Sequence, residues 1–153
     1  MTAVNDHLKV GLVVGVYLMH KMAATDDPMV FFYGDGAGAA VLEPSAEPDF
    51  LCSAFRADGS FAKNWAILAG GTVEPATEES VRTGRTSVKM YDRYSPETNS
   101  EGWPMVVRSL ASNGGFGLDE NDLAIFTQVR KPTIEQVMAD LDLPMKKTHM
   151  VME

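Results

Sequence analysis

The chain has 153 residues, 45% of them hydrophobic and 22% charged, the balance of one ordinary globular domain with a single core. A formal net charge of −8 argues against nucleic acid as the main partner, because phosphate binding needs a basic face. The single cysteine, Cys52, excludes an internal disulfide, and His7, His20 and His149 show no metal-ligand spacing with it. Neither a metal nor another cofactor is therefore expected, and a reducing cytoplasm is the natural setting.

Residues 10–18, VGLVVGVYL, form a continuous valine-rich apolar run, the pattern of a strand covered on both faces inside a sheet. The run is preceded by Asp6 rather than a basic cluster and falls far short of the roughly 20 residues that cross a bilayer, so no membrane association is expected. Residues 21–28 are polar and end in Asp27-Pro28, which gives the chain room to reverse.

Residues 30–43, VFFYGDGAGAAVLE, hold two apolar runs either side of a glycine-rich centre. The spacing predicts two strands meeting at a tight, closely packed turn made by Gly34, Asp35, Gly36 and Gly38. A phosphate cradle is the competing reading. It is disfavoured because the pattern is GxGxG, with no Lys-Ser/Thr pair and no helical sequence after it. Asp35 reads most simply as an acceptor for nearby backbone N–H groups, with a catalytic carboxylate as the sharper alternative.

A third extended stretch is predicted over residues 50–55, after a linker bounded by Pro44 and Pro48. Cys52 lies inside it without a helix start, histidine or cationic neighbour in the local sequence, and reads as a buried structural cysteine rather than a nucleophile. Residues 66–99 show no sustained period and read as a long irregular connection. Arg82, Arg85, Lys89 and Arg93 concentrate basic charge there, either as a solvated loop or as a docking surface for an acidic partner.

Trp103, Val106, Val107 and Leu110 share one helical face. Ser100 is placed to cap that helix, Pro104 is confined to its first turn, and Asn113-Gly114 suits its end. Residues 122–127 read as a strand. Thr133 and Gln136 suggest a capping box ahead of a second helix burying Ile134, Val137, Met138 and Leu141, and residues 148–152 begin another strand. The order of elements is α/β in character.

The run FFYGDGAGAAVLEPS followed by RADGS, with LVVGVYLM before and AIFTQ after, resembles the middle of the β-ketoacyl-acyl carrier protein synthase III family of thiolase-like condensing enzymes. The resemblance implies a partial thiolase-like fold, a mixed sheet with packing helices that straddles two similar halves. Residues 1–60 would then end the first half, 61–99 connect, and 100–153 open the second. It implies acyl-CoA or acyl carrier protein thioesters as substrates, an acidic carrier protein for the basic loop, and a homodimer.

The family's catalytic cysteine lies upstream of GDGAGA and its asparagine beyond the matched stretch, so the chain alone is expected to be inactive. The family's histidine position is occupied by Gln128, whose amide can donate to an oxyanion but cannot shuttle a proton near neutral pH. Its alternative reading is a side chain bonded to backbone at a strand end. Arg130 and Lys131, in the loop that follows, would face the phosphate or pantetheine part of the substrate, or form a solvated pair at a helix start. Two rival functions stand beside the enzyme: an α/β assembly module without catalysis, and a small anion-binding domain built on residues 34–39.

Overall fold

A computed structural model describes residues 9–46 and 50–152. The chain divides into two units. One takes the described residues of Met1–Phe50 with Asp58–Arg93, the other Leu51–Ala57 with those of Tyr94–Glu153. Of residues 61–99, expected to form an irregular connecting loop, those up to Arg93 fall in the first unit and the rest in the second.

In that unit, strand β1 (Gly11–Tyr17) pairs antiparallel with β2 (Gly36–Leu42), in a register running from Gly11 opposite Leu42 to Tyr17 opposite Gly36. The strand expected at β1 is present, but its surroundings differ from expectation. β1 and β2 form a two-stranded ribbon whose valines and leucines stay exposed on both faces. Apolar sequence specifies that a strand prefers cover; it does not supply the covering element.

The glycine turn is also corrected. Gly36 and Gly38 lie within β2, opposite Tyr17 and Gly15, and none of the three glycines at 34, 36 and 38 has a positive φ or a neighbour that a Cβ would meet. The first apolar run is no strand either. Pro28–Phe32 is a 3-10 turn, started by Asp27 and by the fixed φ of Pro28. Reversal thus occurs across residues 18–35, not at the glycines.

The small core of this unit is built from Ala23, Ala24, Ala69 and Val88. Ala23 bridges to Val88 in parallel, and the two-residue strands β3 (Trp65–Ala66) and β4 (Lys89–Met90) pair antiparallel nearby. The short helix α1 (Glu78–Arg82) is started by a reciprocal cap between Thr77 and Ser80, so residues 66–93 are ordered by local hydrogen bonds rather than apolar periodicity.

The second unit holds the larger core. Helix α2 (Glu97–Gly114) and helix α3 (Lys131–Asp140) pack together around Ile134, Val137, Met138, Leu141 and Leu143, with Trp103, Val107 and Phe126 against them. The apolar spacing of α3 was legible; the helix starts were not. α2 begins before Ser100, whose hydroxyl donates back to the Pro96 carbonyl at 3.4 Å, and buried Pro104 sits inside the helix, beyond the first turn. α3 is preceded by Arg130 without a side-chain cap, so the Thr133–Gln136 box does not form.

The C-terminus of α2 behaves as expected, with Gly115 at φ 69° closing it. Residues 122–127 and 148–152 run extended, but their ladder is a single parallel bridge between Ala124 and Thr148. The stretch at 50–55 forms no strand; within the second unit its Ser53 carbonyl accepts from Asn113 Nδ2 of α2 at 3.3 Å.

Candidate functional site

Gln128 ends the extended segment that carries Phe126, three residues before α3 opens. Phe126 fixes this segment by stacking on Trp103, with ring centroids 5.6 Å apart and planes 9° from parallel. Beyond the Ala124–Thr148 bridge the neighbouring segments have no regular ladder, and the Gln128 amide takes its place. Nε2 donates to the Phe126 carbonyl at 2.9 Å and to the His149 carbonyl at 3.1 Å, while Oε1 accepts from the Val151 N–H at 3.1 Å. Both donor hydrogens are thereby on backbone oxygens.

Arg130 and Lys131 follow at the N-terminus of α3, both exposed. Two cations there oppose the helix dipole, so their position gives α3 no stability. A groove of about 810 Å³ between α2 and α3 is lined by Ser100, Glu101, Arg108, Gln136 and Asp140 among others, and none of the predicted site residues lines it. Arg108 bridges the two helices there, its Nη2 reaching the Asp140 carbonyl at 2.8 Å and carboxylate at 3.1 Å. Cys52, half-buried in the same unit, directs its thiol to the Leu110 carbonyl at 3.4 Å, in keeping with the structural reading.

The remaining predicted residues lie in the first unit. Asp35 does not cap local backbone as expected; its carboxylate takes the Nδ1 of His20, fifteen residues earlier. His20 was passed over in the sequence because nothing in local spacing links it to Asp35. Asp27, also passed over, is buried and accepts from the Met29 N–H at 2.9 Å and the Met90 N–H at 2.7 Å. Its place before a proline at a helical start was the available signal.

The basic loop is largely self-neutralised. Arg85 grips Glu74 through two hydrogen bonds of 2.8 and 2.6 Å, Lys89 holds Asp26 at 2.9 Å, and Arg82 pairs with Glu79 one turn away. Hydrogen bonding to these cations holds the Asp26 and Glu74 carboxyls below the usual range, and reciprocally raises Lys89 and Arg85. Arg93 is exposed, its N–H bonded to the Asp92 carboxylate.

Comparison with known proteins places this geometry. A family model for 3-oxoacyl-[acyl-carrier-protein (ACP)] synthase III matches residues 3–59, which include β1, the His20–Asp35 pair and β2. A beta-ketoacyl-[acyl-carrier-protein] synthase III of Lactobacillus delbrueckii subsp. bulgaricus is 31% identical over 138 residues, 89% of this chain and 42% of the relative. The chain is similar to synthase III enzymes along about nine tenths of its length. A 3-oxopimeloyl-[acyl-carrier-protein] synthase of Rhodothermus marinus is likewise 31% identical, over 90% of this chain and 41% of its own length.

The chain thus spans about two fifths of the length of these curated relatives. The crystal structure of 3-oxoacyl-[acyl-carrier-protein] synthase III from Aquifex aeolicus VF5 superposes on 93% of this chain and 42% of its own, with a TM-score of 0.71 at 22% identity. The fold is therefore a partial thiolase-like α/β fold, as the synthase III resemblance implied. Among the described residues no helix is long and apolar enough to cross a membrane.

Proposed function

We propose that this chain forms part of a synthase III-type acyltransferase that condenses acyl thioesters in fatty acid or related lipid or polyketide synthesis. The observation that carries the reading is the match to named 3-oxoacyl synthases along nine tenths of the chain. In this reading residues 1–60 end the first thiolase-like half, 61–99 connect, and 100–153 open the second. Substrates are acyl-CoA or acyl carrier protein thioesters, and the setting is the cytoplasm. The assembled enzyme is a homodimer.

The chain is inactive by itself in this proposal, because its one thiol, turned to the Leu110 carbonyl, does not stand at the family's nucleophile position upstream of GDGAGA. Gln128 reaches a thioester oxygen only by releasing Phe126 or His149, so its first role is to position the 148–152 segment. Arg130 and Lys131, exposed and without a carboxylate in the first turn of α3, are placed to meet a substrate phosphate in this reading. Of the proposed carrier-docking set, Arg93 is the better placed member, while Arg82, Arg85 and Lys89 bind a partner only at the expense of their present carboxylates.

The test is a chimera in which residues 9–152 replace the matched segment of the Lactobacillus relative. A folded chimera that condenses acyl thioesters supports the reading; a folded chimera without activity that still binds acyl carrier protein favours a non-catalytic assembly module. That second reading draws on the uncovered β1–β2 ribbon.

A further inference from the structure

Helix α2 ends in Asn113-Gly114, and packing fixes both residues. The Nδ2 of Asn113 donates to the Ser53 carbonyl at 3.3 Å. A Cβ at Gly114 would run into the Phe116 ring and stand 2.8 Å from the Cys52 Sγ, closer than side chains come without something shifting. The next residue, Gly115, closes the helix at φ 69°. Position 114 therefore stays a glycine unless Cys52 or Phe116 moves.

An asparagine followed by glycine is the arrangement in which the side-chain amide is least shielded from its own backbone, and asparagine amides are among the thermolabile groups of proteins. We propose that Asn113 is a site of spontaneous deamidation. The Gly114 nitrogen gives up its proton and attacks Asn113 Cγ. The new C–N bond closes a cyclic imide while the Cγ–Nδ2 bond breaks, and Nδ2 leaves as ammonia with that proton. Water then opens the imide at either carbonyl, leaving aspartate or its β-linked isomer at position 113. The other described asparagines, Asn64, Asn99 and Asn121, precede Trp65, Ser100 and Asp122, whose side chains hinder the same attack.

The helix sets the pace of this reaction. Its bonding pattern places the Gly114 N–H on the Leu110 carbonyl, which also receives the Cys52 thiol at 3.4 Å. The nitrogen is withheld until the last turn opens, and helix ends open at far smaller cost than a core. Deamidation exchanges a donor for a carboxylate. The new charge stands at the negative end of the α2 dipole and faces the Ser53 carbonyl, so the tie between residue 53 and α2 is lost and not remade. The result is a one-way loosening of the second unit, independent of the acyltransferase reading.

Peptide mapping by mass spectrometry of the purified chain, held at mildly alkaline pH, tests it. Conversion of amide to acid, with an isoaspartate product, is expected at Asn113 ahead of Asn64, Asn99 and Asn121. In urea, where the last turn no longer holds the nitrogen, the rate should rise roughly tenfold or more. Asn113→Gln, whose longer side chain closes an imide far more slowly, should keep its amide over the same period. Asn113→Asp supplies one product directly, and its Cys52 should react with a thiol reagent roughly two- to tenfold faster than in the unsubstituted chain, the ratio for one net hydrogen bond. The measurement on the unsubstituted chain keeps the test decisive if that variant does not fold. An intact amide at Asn113, earlier conversion at another described asparagine, no gain in rate with urea, or unchanged Cys52 reactivity in Asn113→Asp overturns the proposal.

Discussion

Replacing Gln128 isolates what its amide does. Gln128→Ala removes the hydrogen bonds to Phe126 O, His149 O and Val151 N–H. Each neutral hydrogen bond contributes about 1 kcal/mol net, and water reaches these half-exposed segments, so the loss is about 1–2 kcal/mol rather than three full bonds. Gln128→Glu separates the two ends of the amide. It keeps an acceptor for Val151 but sets a carboxylate against two carbonyl oxygens, so at neutral pH it should destabilise more than alanine.

Protonating that glutamate in mild acid restores one donor and should recover part of the loss. The assay is urea unfolding followed by the fluorescence of Trp103, which stacks two residues upstream, with amide exchange at Val151 as the local probe. Equal stability of the alanine and glutamate variants at pH 7, or unchanged protection of the Val151 amide in Gln128→Ala, would refute the positioning role.

Met138→Ala, at a fully buried position between α2 and α3, should destabilise the second unit by about 2–5 kcal/mol in the same unfolding assay. Asp27→Asn leaves one of two buried backbone donors poorly matched and should cost the first unit about 1–3 kcal/mol, read by exchange at the Met90 amide. Gly115→Ala forces a side chain into positive φ at the end of α2 and should cost about 1 kcal/mol, although no neighbour obstructs the Cβ.

Asp26 and Glu74 have lowered folded-state pKa values, so their contribution is present above the ordinary carboxylate range and is lost as pH falls through those lowered values. The raised value of Lys89 works in the opposite direction, its share being lost only as pH rises through the folded value. An acid titration of unfolding should therefore show a loss for the first unit that is smaller in Glu74→Gln. Because these pairs are exposed, 1 M salt should flatten it.

Some of this chain was readable residue by residue. The valine run gave β1, and the spacing of Ile134, Val137, Met138 and Leu141 gave the buried face of α3, because period and apolarity are local properties. The GDGAGA run carried the resemblance to synthase III enzymes but not its own conformation: glycine permits a turn without requiring one, and pairing with β1 held Gly36 and Gly38 extended. Whether Gln128 was a donor for chemistry or a tie between segments depended on residues 149 and 151 arriving beside it. His20 meeting Asp35, Asp27 reaching Met90, and the cations of the basic loop finding their own carboxylates were likewise decided by tertiary structure. Sequence carries each group's capacity to bond, whereas the partner that satisfies it is set by which distant backbone or side chain the fold brings within about 3 Å.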